Sequence, residues 1–326
     1  MFGFLDSNYY GIFVALAILV YFIIVKFLSK DDNTIILMFS ATSSMVCLFC
    51  SRLVYVAVNF AYYIFEIENP KAMFFVWDGG FSLTGLLLGL LLSLSLIKKY
   101  ARDYIKLYNA SFAALGVFIS IIRLAERFTN VGIGKSLSDD VTGIFVIKDA
   151  WGFSSIAVYK IEALIALIIA IILITLFIKL YNKKSSINYP YIVWLFFILY
   201  GGTQVIMESI RNDGHMMLLF VHAQQIFAFA MPVIVSIIVL KQLRKKNIKT
   251  SLNVIAPISF IILLALGMAL EFVLDGRLHF NLKLFGISDF ARNYILFSLI
   301  CIILMALSIY IVYTLYKYDD KKTLHN

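Results

Sequence analysis

Nine apolar stretches, at about residues 10–29, 34–58, 79–97, 110–128, 156–178, 189–210, 218–240, 252–274 and 293–315, constrain this chain more than any other feature. Each approaches the roughly 20 apolar residues that an α-helix needs to cross a hydrocarbon core. Of the 326 residues, 62% are apolar and 14% charged, against about 45–50% and 25% in soluble domains. That balance excludes a water-soluble globular protein, a disordered chain and a secreted disulfide scaffold. Cys47, Cys50 and Cys301 lie inside apolar stretches without metal or redox spacing and read as small core residues. The first stretch reads as a span, not a signal peptide: Met1–Tyr10 carries no Lys or Arg, and no small-residue cleavage site follows. The fold class is therefore all-α, a polytopic integral membrane helix bundle.

The net charge of +9 is distributed along the chain as a topology signal. The connections after spans one, three, five, seven and nine hold 17 of the 28 basic residues and five acids, and everything else holds 11 basic and 14 acidic residues. The positive-inside rule then puts the N-terminus outside and the C-terminus in the cytoplasm. The same distribution argues against a nucleic-acid partner. Residues 59–78 are too polar to span and rich in aromatics, which suits an arm at the headgroup level. Residues 129–155 read as the longest external loop of the first half.

Ionisable side chains inside spans are costly and by default mark a site. Arg52, Arg123, Glu126, Arg127, Glu162, Glu208 and Arg211 fall in or at the ends of four spans, and the topology puts all of them toward the outer leaflet. Arg123–Glu126 and Glu208–Arg211 are each three apart and can neutralise one another on one helix. Four cations against three acids leave one positive charge over. Surplus Arg suits the phosphate of an anionic headgroup through bidentate, charge-assisted bonds.

Several short blocks resemble one family. Ser51-Arg52-Leu53-Val54-Tyr55, Asn59, Tyr62-Tyr63 and Asn69-Pro70 are followed by Trp77-Asp78-Gly79-Gly80-Phe81-Ser82-Leu83-Thr84-Gly85. Then come Arg123 to Gly134, Glu162-Ala163, Tyr200-Gly201 with Glu208 and Arg211, and Gln225. In this order they resemble the bacterial prolipoprotein diacylglyceryl transferases over about residues 10–240. The resemblance implies a seven-span transferase-like core at 1–245, with two further spans and a cytoplasmic tail at 246–326. It departs from the family at Thr84, where the family has His, at Glu126, where it has Asn, and at Gln204, where it has Arg.

That family moves a diacylglyceryl group from phosphatidylglycerol to the lipobox cysteine of exported precursors. The resemblance implies the same partners here, in a multi-pass protein of the bacterial plasma membrane. The reaction needs a thiolate from a thiol of pKa about 8.5 and cations to receive charge on the departing phosphate. It needs neither metal nor organic cofactor. The catalytic candidates are Arg123 as phosphate clamp, with Glu126, Tyr200, Glu208 and His222. The substrate-binding candidates are Arg52, Thr84, Arg127, Gly134, Glu162, Gln204 and Arg211, with Arg127 or Arg211 as second donor in place of the cation missing at Gln204. Thr84 cannot act as a base, so His222, Glu126 or Tyr200 would have to. The alternative is a catalytically impaired lipid-binding paralogue with a partner-protein role.

Overall fold

A computed structural model describes residues 4–66, 70–75, 79–129, 131–138, 141–148, 152–183, 187–212, 216–218, 221–248, 251–274, 276–277 and 289–324. Asn69, Trp77, Asp78, Asn130, His215 and the side chain of His222 lie outside the described residues. Among those described are nine α-helices: α1 (Phe4–Ser29), α2 (Asn33–Val58), α3 (Leu83–Ile97), α4 (Tyr104–Ala125), α5 (Val158–Lys183), α6 (Tyr191–Glu208), α7 (Ala223–Lys245), α8 (Leu252–Leu274) and α9 (Asp289–Leu324). All but α3 are long and apolar enough to cross a membrane, so the chain is a polytopic helical membrane protein.

The third span begins later than the hydropathy pattern indicates. Gly79 and Gly80 have φ of +76° and +74°, left-handed backbone that no helix contains. The helix starts only after Ser82, whose hydroxyl accepts the Gly85 N–H at 3.3 Å. α3 is left with 15 residues, about 22 Å of helix against about 30 Å of hydrocarbon. Its glycines let it lie close against α2: a Cβ on Gly89 would come within 2.6 Å of the Cys47 Cα.

Residues 129–155 are more than a loop. They contribute to a three-stranded antiparallel sheet of β1 (Ile133–Ser136), β2 (Val146–Lys148) and β3 (Ser154–Ala157), in the order β1-β3-β2. A short hairpin, β4 (Met217–Leu218) and β5 (Val221–His222), precedes α7. The arm after α2 holds a π-helical turn at Tyr62–Glu66 and a 3-10 turn at Pro70–Phe74.

The chain divides into two compact units, one of Met1–Ile192 with Arg211–Ile226, the other of Val193–Ile210 with Phe227–Asn326. The division passes through α6 and α7. In the first unit α1 runs antiparallel to α4, with the Tyr9 and Phe13 rings 5.6 Å from that of Phe128 and Tyr21 5.9 Å from Phe118. In the second, Val205, Ala228, Leu274, Phe297 and Cys301 form a core, and the Tyr294 hydroxyl donates to the Ile206 carbonyl at 3.2 Å.

Fully buried Asn109 joins three segments of the first unit. Its Nδ2 donates to the Tyr181 hydroxyl at 3.2 Å, and its Oδ1 accepts the Ile192 N–H at 3.1 Å. That N–H belongs to the first turn of α6 and has no partner within its own helix. Asn109→Ala strands a buried donor, which costs about 1–3 kcal/mol. A lowered unfolding midpoint of the purified protein is the expected result.

Candidate functional site

Three charged residues of α4, the turn after it and α5 meet Arg211 in the interior of the first unit. The last turn of α4 carries Arg123, and the turn that follows, Glu126–Phe128, carries Glu126. Arg123 Nη1 lies 2.6 Å from Glu126 Oε1, and Arg123 Nε lies 3.2 Å from Glu162 Oε2. On its other side Glu162 Oε1 lies 3.5 Å from Arg211 Nη1. All four residues are buried. A chain Glu126–Arg123–Glu162–Arg211 results, with two cations and two anions. The surplus positive charge expected from the sequence is thus absent from this cluster.

The small sheet is what brings Arg211 in. Gly134 pairs with Arg211 as an antiparallel bridge, and the Asn212 N–H donates to the Ile133 carbonyl at 2.9 Å. The segment after α6 is therefore an added edge on β1. β3 leads directly into α5, whose second turn holds Glu162. Gly134 thus has a place here as the backbone partner of Arg211.

Beside this network lies a cavity of about 440 Å³ among α1, α2, α3, α4 and the start of α7. Most of its wall is apolar, from Ile18 and Phe22 on α1, Leu86 and Leu90 on α3, and Leu115 and Ile119 on α4. Arg123, Glu126, Tyr10 and Gln224 also line it. On α4 the lining runs from Leu115 to Arg123, about 12 Å along the axis. An apolar slot with a guanidinium and a carboxylate at one end matches an amphiphile in shape and polarity.

Arg52 is buried against the arm. Its Nε donates to Met73 O at 3.1 Å, its Nη2 to Ala72 O at 3.1 Å, and its Nη1 to the carbonyls of Gly79 and of Gly80, the latter at 3.1 Å. The rings of Tyr55 and Tyr63 flank it at 5.7 and 5.8 Å. The structure thus makes Arg52 the fastener of the arm, apart from the charged network. Gly80 has φ of +74°, and a Cβ there would also meet the Tyr55 ring and lie 2.9 Å from the Arg52 Nη1, which together favour glycine. Arg127 is exposed, so of the two candidate second donors only Arg211 joins the cluster. Thr84 is buried in the first turn of α3. In the second unit Gln204 Nε2 donates to Glu208 Oε1 at 3.0 Å, and the buried Tyr200 ring stacks on Phe196 at 5.3 Å.

Sequence reasoning missed Tyr10 and Gln224 in the cavity wall. Tyr10 opens an apolar stretch and Gln224 adjoins the Gln225 singled out by resemblance. In each case the polar residue at the head of a span was the available signal.

Fold and site together define a multi-pass membrane protein with a largely apolar cavity lined in part by a buried Arg–Glu pair. The family model for prolipoprotein diacylglyceryl transferases matches residues 1–241, and the chain belongs to that family. No curated protein matches it.

Removing one partner from a buried ion pair leaves an uncompensated charge and costs about 3–5 kcal/mol. Glu162→Ala, which strips a carboxylate from both Arg123 and Arg211, is expected to fall in that range by thermal or denaturant unfolding. Arg127→Ala, on the exposed turn, is expected to stay within about 0.5 kcal/mol.

Proposed function

We propose that the chain transfers a diacylglyceryl group from phosphatidylglycerol to the lipobox cysteine of exported precursors at the outer leaflet of a bacterial plasma membrane. The carrying observation is the cavity itself: an apolar slot for acyl chains ending at the buried pair Arg123–Glu126. Family membership supports the reaction class. The positive-inside charge pattern supports the orientation, with the Arg123 end of α4 facing outward.

In this reading the Arg123 guanidinium engages the lipid phosphate, with Arg211 behind it through Glu162. The acceptor thiol loses its proton, and the sulfur attacks the glycerol carbon that carries the phosphate. An S–C bond forms as the C–O bond breaks, the electron pair stays on the phosphate oxygen, and glycerol phosphate departs. Charge accumulates on that oxygen, and a preorganised cation in a water-poor site lowers the barrier. The proton goes to Glu126. Among the replacements weighed for the absent histidine, Glu126 is taken in this reading because its side chain lines the cavity. Its Oε2 is buried without a hydrogen-bond partner among the described residues. Gly134, Glu162 and Arg211 position Arg123, Arg52 holds the arm, and Gln204 donates to Glu208 on α6.

The second reading, a lipid-binding paralogue without transfer, is favoured by the balance of the network: Arg123 already has two carboxylate neighbours. The two readings part in one assay. Purified protein in phosphatidylglycerol micelles is incubated with a lipobox peptide, and the peptide mass is measured. A gain of one diacylglyceryl group is expected. Arg123→Ala, which removes a charge-assisted bond worth about 1.5–3 kcal/mol, is expected to slow the gain by roughly 10- to 150-fold. Co-purified phosphatidylglycerol with no mass gain, beside an active family enzyme, would select the paralogue.

A further inference from the structure

The exposed apolar side chains on the sheet are not used by the charged network. Ile144 is 80% exposed, Phe153 59% and Phe145 42%. Ile144 and Phe145 directly precede β2, which among the described strands is an edge of the order β1-β3-β2, and Phe153 directly precedes β3. Apolar residues on an open strand edge are a liability in water, where they template aggregation.

Two hydrogen bonds fix the depth of this edge. The Phe145 carbonyl accepts the N–H of Ala157, the residue immediately before α5, at 2.8 Å. The Ile144 carbonyl accepts from Lys160 Nζ, in the first turn of α5, at 2.7 Å. Ile144 and Phe145 are therefore level with the end of a helix apolar enough to cross the bilayer. Lys160 also marks a particular face of that helix. Leu164, Leu167 and Ile171 follow it at helical spacing on one stripe, and all three are exposed. In a spanning helix such a stripe meets acyl chains, and Ile144 stands directly at its head.

We propose that residues 141–146, together with Phe153, form an interfacial anchor that rests in the phospholipid headgroup layer beside α5. Aromatic and aliphatic side chains next to Lys148 and Lys160 suit that layer, where rings sit at the boundary and ammonium groups meet phosphates. The anchor also has a route to the network. β3 joins β2 to β1, and β1 carries Gly134, the backbone partner of Arg211. Lipid contact at one edge of the sheet thereby steadies the segment that delivers Arg211 at the other. The proposal does not depend on transferase activity.

The test places a tryptophan at the anchor. Phe145→Trp and wild-type protein are reconstituted in nanodiscs, with lipids either unbrominated or brominated near the top of the acyl chains, and the wild-type emission is subtracted. Loss of most of the added emission in brominated lipid, with little loss to aqueous iodide, is the expected result. Quenching by iodide but not by brominated lipid would overturn the proposal. So would quenching by bromine that disappears when a lipobox peptide is added, since that assigns the patch to the acceptor. Ile144→Trp gives the same reading if Phe145→Trp does not fold.

Discussion

The carboxylate of Glu162, between Arg123 and Arg211, is the interaction on which the arrangement of the first unit depends. An ion in a hydrocarbon interior costs several kcal/mol unless it is paired. α4 must therefore present Arg123 where α5 presents Glu162, and the segment after α6 must arrive from the side. The sheet meets the last requirement. Its strand β3 enters α5 just ahead of Glu162, and β1 pairs through Gly134 with Arg211. A loop of the same length without ladder bonds would leave Arg211 free to choose other partners.

Arg52 and Arg123 show two different answers to the same problem. Both are buried arginines near the ends of apolar helices. Arg52 spends its donors on backbone carbonyls of the arm, and so behaves as a clasp closing 70–75 and 79–82 over α2. Arg123 is instead held by carboxylates and faces a cavity. Carbonyl oxygens are fixed partial charges of the fold, whereas an ion pair keeps full charge available at the wall of a space that a ligand can occupy. The distinction separates a structural guanidinium from a site guanidinium more sharply than burial does.

This distinction was not legible in the sequence. Span positions were, since a run of apolar residues sufficient to cross a bilayer is a one-dimensional property, and eight long helices follow it. The family was also legible, through short blocks in a fixed order, and 1–241 matches its model. What failed was whatever depends on direction and pairing. Gly79-Gly80 delays α3 through backbone conformation, which hydropathy does not record. Strands of three or four residues in 129–155 are too short to show alternation. Charges counted along the chain gave a surplus cation, while partners chosen in three dimensions gave two balanced pairs and sent Arg127 to the surface.

The departures from the family pattern gain a common logic from these contacts. Glu126 stands where the resemblance leads to an uncharged Asn, and it is bonded to Arg123 at 2.6 Å. Gln204 stands where it leads to a cation, and its amide satisfies Glu208 at 3.0 Å. One change adds an anion and the other removes a cation, so both shift the buried charge in the same direction. In the transfer proposed above, an anion beside the Arg123 clamp weakens its hold on phosphate in the resting state and is also the acceptor of the thiol proton. On that proposal, as the proton is taken up the opposing charge disappears, and the guanidinium becomes freer to meet a developing phosphate oxyanion. Glu126 would then stand in for the absent histidine, with the clamp strongest when the leaving group carries its charge.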